Sequence, residues 1–258
     1  MSTGMSVATM VRRSADESVN LMNVQSRAGL VPGSATPAPT LMEQVLERLR
    51  DDIVRGKLAP SEKLRVQELG RRYGVGASPL REALSRLTAD GLVIAESNRG
   101  FRVAPVSTDD FMDVVANRRR LESIALEQSV RAGDDAWEGR VVAAYHQLQK
   151  LEATYKPDSK LNDSGWEWEK RHRVFHHSLI SACPSRWLLH LNGLLVGQFD
   201  RYRRFVTLDA KTTRRSRQQE AALLNATLSR DARKAVQILQ AHIDDSSALI
   251  VRQLRNVL

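Results

Sequence analysis

With one cysteine in 258 residues, Cys183, this chain cannot close a disulfide on itself. That excludes the small disulfide-stapled secreted scaffolds and fits a reducing compartment. Aromatics are sparse too, at 5%. Sandwiches and barrels draw on aromatic and β-branched residues, so this shortage, beside plentiful Leu, Ala, Arg and Glu, favours helices. No apolar run approaches the ~20 residues that span a bilayer. The opening "MSTGMSVATMVRRSADES" lacks the continuous apolar stretch of a secretory signal. A folded cytoplasmic protein without membrane contact is the expectation.

Positive charge is what the chain has in excess. Its net charge is +9 and its pI near 10.1, which suggests a polyanion partner. The excess is not concentrated. Residues 40–106 hold 12 Lys/Arg against 9 Asp/Glu, a net +3, and residues 107–258 hold 24 against 19, a net +5. Nucleic-acid binding has to be argued from where particular charges sit.

Three segments follow from pattern. Residues 1–39 mix Ser, Thr, Gly and Met and end in "VPGSATPAPT", a flexible arm by composition, or residues ahead of a mis-assigned start. Residues 40–106 begin with a helix: Thr40 as cap, Glu43 three residues on, and Leu41, Val45, Leu49 and Ile53 every fourth residue. It ends at Gly56, and "KLAPSEKL" reads as a turn. Short helices are expected over 67–73 and 78–89, with Gly74 between them, and "LVIAESNRGFRVAPV" reads as two strands around an "SNRG" turn. Residues 107–258 look helical throughout, over 108–132, 135–154, 163–182, 184–206, 213–229 and 231–256. An antiparallel bundle of six or seven helices is the simplest packing. The fold class is therefore mainly α: a helix-turn-helix with a hairpin, then an all-α bundle.

In "GVGASPLREALSRLTADGLV", Leu80, Ala83, Leu84 and Leu87 share one helical face, and Ser78, Arg81, Ser85 and Arg86 lie off it. Ser78 suits an N-cap and Pro79 the first helical position. Alone, this is a capped core helix with a solvated outer face. A preceding short helix, a glycine turn and a following hairpin make it a winged helix-turn-helix, whose second helix offers its N-terminal residues to the major groove. "NRGFR" puts Arg99 and Gly100 at the wing tip, where a missing side chain permits close approach to DNA.

The stretch "ELGRRYGVGASPLREALSRLTADGLVIAESNRGFRV" resembles the DNA-binding domain of GntR-type bacterial transcription regulators. The resemblance implies sequence-specific operator binding by a dimer, with Arg81 reading a base and Arg65, Gln67, Ser78, Arg99 and Gly100 supporting or positioning. Many relatives carry an arginine where this chain has Ala77, so its operator is expected to differ from the commonest one.

The second half, through "NRRRLESIAL", "HRVFHHSLISAC" and "QQEAALLNATLSRDARKAVQILQAHI", resembles the helical FCD effector domain of the FadR-type branch. Relatives there commonly hold a divalent metal with one Asp and three His, and the metal helps bind a small carboxylate effector. His172 stands in the Asp position, His176 in the first His position, Glu220 in the second and His242 in the third. His172 and His176, at i and i+4, share a helix face; such a pair alone is usually surface or core decoration. Three imidazoles and a carboxylate suit Zn²⁺, Ni²⁺ or similar ions. Arg118 matches an arginine that relatives direct toward the effector, and "NRRR" equally fits a solvated charge run. Trp166, Trp168 and Trp187 could line a pocket or pack in the core. "GDDAWEGRVVAAYHQL" resembles the narrower group of carbon-starvation-induced regulators, which points to a small organic acid.

The expectation is a homodimeric, ligand-responsive regulator, repressor rather than activator, reading a palindromic duplex with two recognition helices about one DNA turn apart. Two alternatives stay open: a metal-free helical dimerisation module on a constitutive DNA binder, and a helical metallohydrolase. Against the latter, the sequence shows no HExxH, nucleophile elbow or phosphate-cradling glycine loop.

Overall fold

Thr40 opens the first helix with a reciprocal cap. Its hydroxyl accepts from Glu43 N at 3.2 Å, and the Glu43 carboxylate accepts from Thr40 N at 2.8 Å, satisfying two donors that a helix start leaves unpaired. In the computed structural model, which describes residues 38–96, 100–154, 163–206 and 210–255, this helix is α1, Leu41–Val54. Val45, Leu49 and Ile53 are buried, while Leu41, the first of the expected repeat, is 55% exposed. The expected arm lies outside the described residues except for its last two.

After Gly56, at φ +73, the segment expected as a turn contributes a strand. Lys63–Leu64 (β1) pairs antiparallel with Gly100–Val103 (β3), which pairs with Val93–Glu96 (β2), giving the order β1-β3-β2. Two residues are too few to show alternation, and the partner lies almost forty residues on. Arg102 ties the sheet together, donating to Glu96 Oε1 at 2.6 Å and to Ser61 O at 2.5 Å.

Helices α2 (Val66–Tyr73) and α3 (Ala77–Ala89) flank the glycine turn. Gly74 sits at φ 69, ψ 35, a conformation that costs other residues ~1–2 kcal/mol. The start of α3 differs from expectation. Gly76 is the N-cap, no side chain caps, and Ser78 lies inside the first turn. Pro79 then takes the third helical position. That is still within the turn whose N–H groups have no helical acceptor, so its missing donor is tolerated there. Leu80, Ala83, Leu84 and Leu87 are fully buried. At ~1.5–3 kcal/mol per buried leucine, this face fixes the helix in place. They join Val45, Leu49, Ile53, Leu69 and Val103 in a first hydrophobic core.

Six further helices are described: α4 (Thr108–Ala132), α5 (Asp135–Glu152), α6 (Asp163–Ile180), α7 (Arg186–Arg203), α8 (Ala210–Leu228) and α9 (Ala232–Leu254). Helix α4 matches its expected span. Helix α7 is shorter at both ends than 184–206; its start is set by Ser185, which caps it by accepting from Leu188 N at 3.3 Å. Helix α8 starts three residues earlier than 213, α5 and α6 start where expected, and the remaining ends move by one or two. Helix α4 packs against α6, α7 and α9, while α5 packs on α6 and α8 on α9. The second core gathers Phe111, Leu126, Trp137, Phe175, Phe199, Tyr202 and Ile243. Trp137 Nε1 donates to Ser178 O at 2.9 Å, so the indole is buried with its donor satisfied. Trp168 is buried, whereas Trp187 is 64% exposed and belongs to no core.

Candidate functional site

The first-core unit carries one surface with the chemistry for DNA. Helix α3 buries its leucine face and leaves Ser78, Arg81, Ser85 and Arg86 in solvent. Arg86 is engaged by Glu82 at 3.0 Å, while Arg81 has no ion pair or hydrogen bond among the described residues. Arg65, at the start of α2, donates to Glu68 at 2.9 Å and is exposed. Gln67 lines a shallow groove with Arg71, Gly74 and Ala77. Gly100 opens β3 at φ +94 and is exposed; Arg99, expected beside it, lies outside the described residues. Gly70 allows the groove to form, since a Cβ there would sit 2.9 Å from Val75 O in the turn.

Inside the second core, three helices bring His172 and His176 (α6), Glu220 (α8) and His242 (α9) together. One candidate ligand atom from each lies within 4.8 Å of all the others, and all four residues are buried. The His176 and His242 rings stack at 5.0 Å between centroids, and His172 stacks on Trp168 at 4.9 Å. Glu220 Oε1 lies 3.2 Å from His172 Nε2 and accepts from Ser216 Oγ at 2.8 Å.

A surrounding layer sets orientation, and of its members only Arg118 was expected near the site. Gln219 Oε1 lies 3.1 Å from His242 Nδ1, and its amide nitrogen donates to Asp245 at 2.6 Å. That orientation leaves the amide oxygen to accept, so Nδ1 carries the proton and Nε2 keeps its lone pair for the cluster. Glu122 reaches within 3.7 Å of His176 Nδ1 and accepts from Arg118 Nε at 2.7 Å. Arg118, expected to meet an effector, is thus buried, paired with Glu122 and stacked 4.4 Å over the Phe199 ring. Burial alone would raise the Glu122 pKa, but Arg118 and His176 outweigh it and hold it at about 2.

These residues fit a divalent cation. His172 Nε2, both nitrogens of His176 and Glu220 Oε2 are buried without hydrogen-bond partners, a costly arrangement for polar atoms that nothing else satisfies. Burial, reinforced by the neighbouring imidazoles, pushes the pKa of His172 and His242 well below 6.5, so both keep the neutral form that a metal requires. A small pocket opens beside them, lined by His172, His242, Trp168, Arg203, Arg215, Ser216 and Leu249 among others. Arg203 pairs with Glu169 at 2.6 Å and Arg215 with Asp245 at 2.6 Å. Arg118 is not part of this lining.

The chain is similar to known regulators along most of its length. The family model for bacterial regulatory proteins of the gntR family matches residues 41–103, and the FCD domain model matches 113–245. An uncharacterized HTH-type transcriptional regulator, BphR of Paraburkholderia xenovorans, is 41% identical over 85% of this chain and 90% of its own. The HTH-type transcriptional repressor GlaR of Escherichia coli is 35% identical over 76% of this chain and 89% of its own. Among solved structures, E. coli McbR/YncC superposes with a TM-score of 0.70 at 20% identity, over 83% of this chain and 99% of that one. A putative GntR regulator from Rhodococcus sp. RHA1 gives 0.64 at 21%, over 81% and 96%. These last two speak for the fold alone. The matched families and relatives are transcription regulators, which removes the hydrolase alternative. A winged helix-turn-helix and an FCD domain in one chain, with two relatives above 30% identity, make this protein a member of the GntR family of DNA-binding transcription regulators.

Proposed function

We propose that this protein is a cytoplasmic, homodimeric repressor that reads a palindromic operator and is released by a small carboxylate bound beside a metal ion. Residues 40–106 form the operator-reading unit, with Arg81 on base edges and Arg65, Gln67, Ser78, Arg99 and Gly100 positioning. Residues 107–258 form the effector-binding and dimerisation unit. The observation that carries the effector half is the convergence of His172, His176, Glu220 and His242, with His172 Nε2 and both His176 nitrogens buried and without a hydrogen bond among the described residues. Zn²⁺ or Ni²⁺ suits that donor set. When bound, the ion supplies an open coordination position for a carboxylate oxygen. Around it, Arg203 and Arg215 supply positive charge, Ser216 a hydroxyl, and Trp168 and Leu249 an apolar wall. Arg118 contacts an effector only by exchanging Glu122 for it. Repression accords with the name of the relative from E. coli.

Metal analysis and thermal shift of the purified chain against a panel of small carboxylates, with and without chelator, test this reading. About one ion per chain, and a stabilising carboxylate whose effect disappears with chelator, are expected. His176→Ala should lose the ion and the carboxylate response while keeping operator affinity. Full metal content in that variant overturns the ligand set; no metal and no stabilising carboxylate favour a metal-free dimerisation bundle.

A further inference from the structure

The last two turns of α7 touch the operator-reading unit on one side and the pocket on the other. Gln198 Nε2 donates at 2.6 Å to the carbonyl of Asp90, the residue that ends the recognition helix α3. Arg201, only 3% exposed, donates through Nη2 to Ala104 O at 2.5 Å and Pro105 O at 3.0 Å, in the segment joining β3 to α4. Its Nη1 donates to Gln198 Oε1 at 2.8 Å. One guanidinium therefore holds both the connecting segment and the amide that holds α3. The Asp90 carboxylate is taken by Arg50 of α1. Gly91 leaves room for Gln198, since a Cβ there would approach its Nε2 to 3.0 Å. Two residues past Arg201, Arg203 leaves α7 in the other direction. It pairs with Glu169 at 2.6 Å and lines the pocket with Trp168 and His172.

We propose that these turns of α7 are the coupling element of the regulator. An anionic occupant of the pocket competes with Glu169 for Arg203, the turn that carries Arg203 shifts, and Gln198 and Arg201 pass the shift to the end of α3 and to the connecting segment. Both are positioning residues that need not touch operator or effector. The inference rests on the effector reading of the pocket. It adds which side chains join the two sites, and coupling is established only when both ends bias one element.

Glu169→Gln alters Arg203's partner without any ligand and so tests the link directly. Hydrogen exchange of the full-length protein reads the amides of Gly91, Leu92 and Ala104, which donate to Thr88 O, Leu87 O and Leu92 O. E169Q should speed their exchange by about fivefold or more. Glu138→Gln, which removes the carboxylate paired with Arg230 elsewhere on the bundle, should leave them unchanged. A double-mutant cycle follows, on a duplex that the intact wild-type protein selects from a random library. E169Q should change affinity by about threefold or more, and the effect should vanish when Gln198→Ala is added. Unchanged amides in E169Q, or effects that simply multiply, overturn the proposal. If E169Q melts well below wild type, Arg203→Lys, which keeps the charge and shortens its reach, replaces it. A wild-type chain that selects no duplex fails the operator reading instead, and the exchange result then decides the coupling alone.

Discussion

At the scale of single residues, the most informative groups are those whose ordinary partner is missing. His172 and His242 are buried imidazoles with pKa values well below 6.5, so the folded chain resists protons that the unfolded chain accepts. Their contribution to stability is present above about pH 6.5 and declines as the pH falls below it. Melting in chelator at pH 7.5, 6.5 and 5.5 should show the midpoint dropping stepwise, less so in a His172→Gln, His242→Gln double variant. The carboxyl of Glu122, held at about 2, gives up its contribution as the pH falls from about 4.5 to about 2, so the two windows separate. Arg81 is the converse case, an exposed cation without an acid to answer it among the described residues. Arg81→Ala should lose ~1–3 kcal/mol of operator binding and relax preference at one base position, as competition with single-base duplex variants would measure.

Elements show what local sequence encodes and what it does not. The cap at Thr40, the leucine face of α3 and the span of α4 were all legible, because each depends on neighbours three or four residues away. Strand β1 was not, because its pairing partner is remote and its two residues carry no period. Ser78 misled for a related reason: serine is a good cap wherever a helix begins, and here the backbone begins it at Gly76. The four cluster residues were found through family resemblance and one i, i+4 spacing. Trp168 was among the tryptophans offered for a pocket wall and lines it, whereas Gln219 and Glu122 left no local signal, since tertiary packing alone makes them companions. Gly70, inside α2, and Gly74, in the turn that follows it, answer different demands. Gly74→Ala should cost ~1–2 kcal/mol in urea unfolding through backbone conformation alone, with open space around it. Gly70→Ala presses on Val75 O and should cost a similar ~1–3 kcal/mol, with an added loss of operator affinity because the displaced carbonyl lies in the turn leading into α3.

For the whole molecule, two cores in one chain separate reading from sensing. Among the described residues no helix is long and apolar enough to cross a membrane. Exposed Trp187 and Leu191 leave apolar surface on α7 for a second copy, in keeping with the proposed two-fold assembly. If two chains read one palindrome, the half-sites must face the same side of the duplex. Inserting about five base pairs between them should abolish binding, and about ten should partly restore it. Sedimentation of the complex should give two chains per duplex.

The stacking of Trp168 on His172 has an optical consequence. Its indole lies 4.9 Å from a ring of the candidate metal cluster, while Trp137 is buried elsewhere in the same core and Trp187 faces solvent. An open-shell ion seated among the histidines would quench Trp168 at close range, and a closed-shell ion would leave it emitting. Trp168 emission would thus separate the two kinds of occupant without label or crystal.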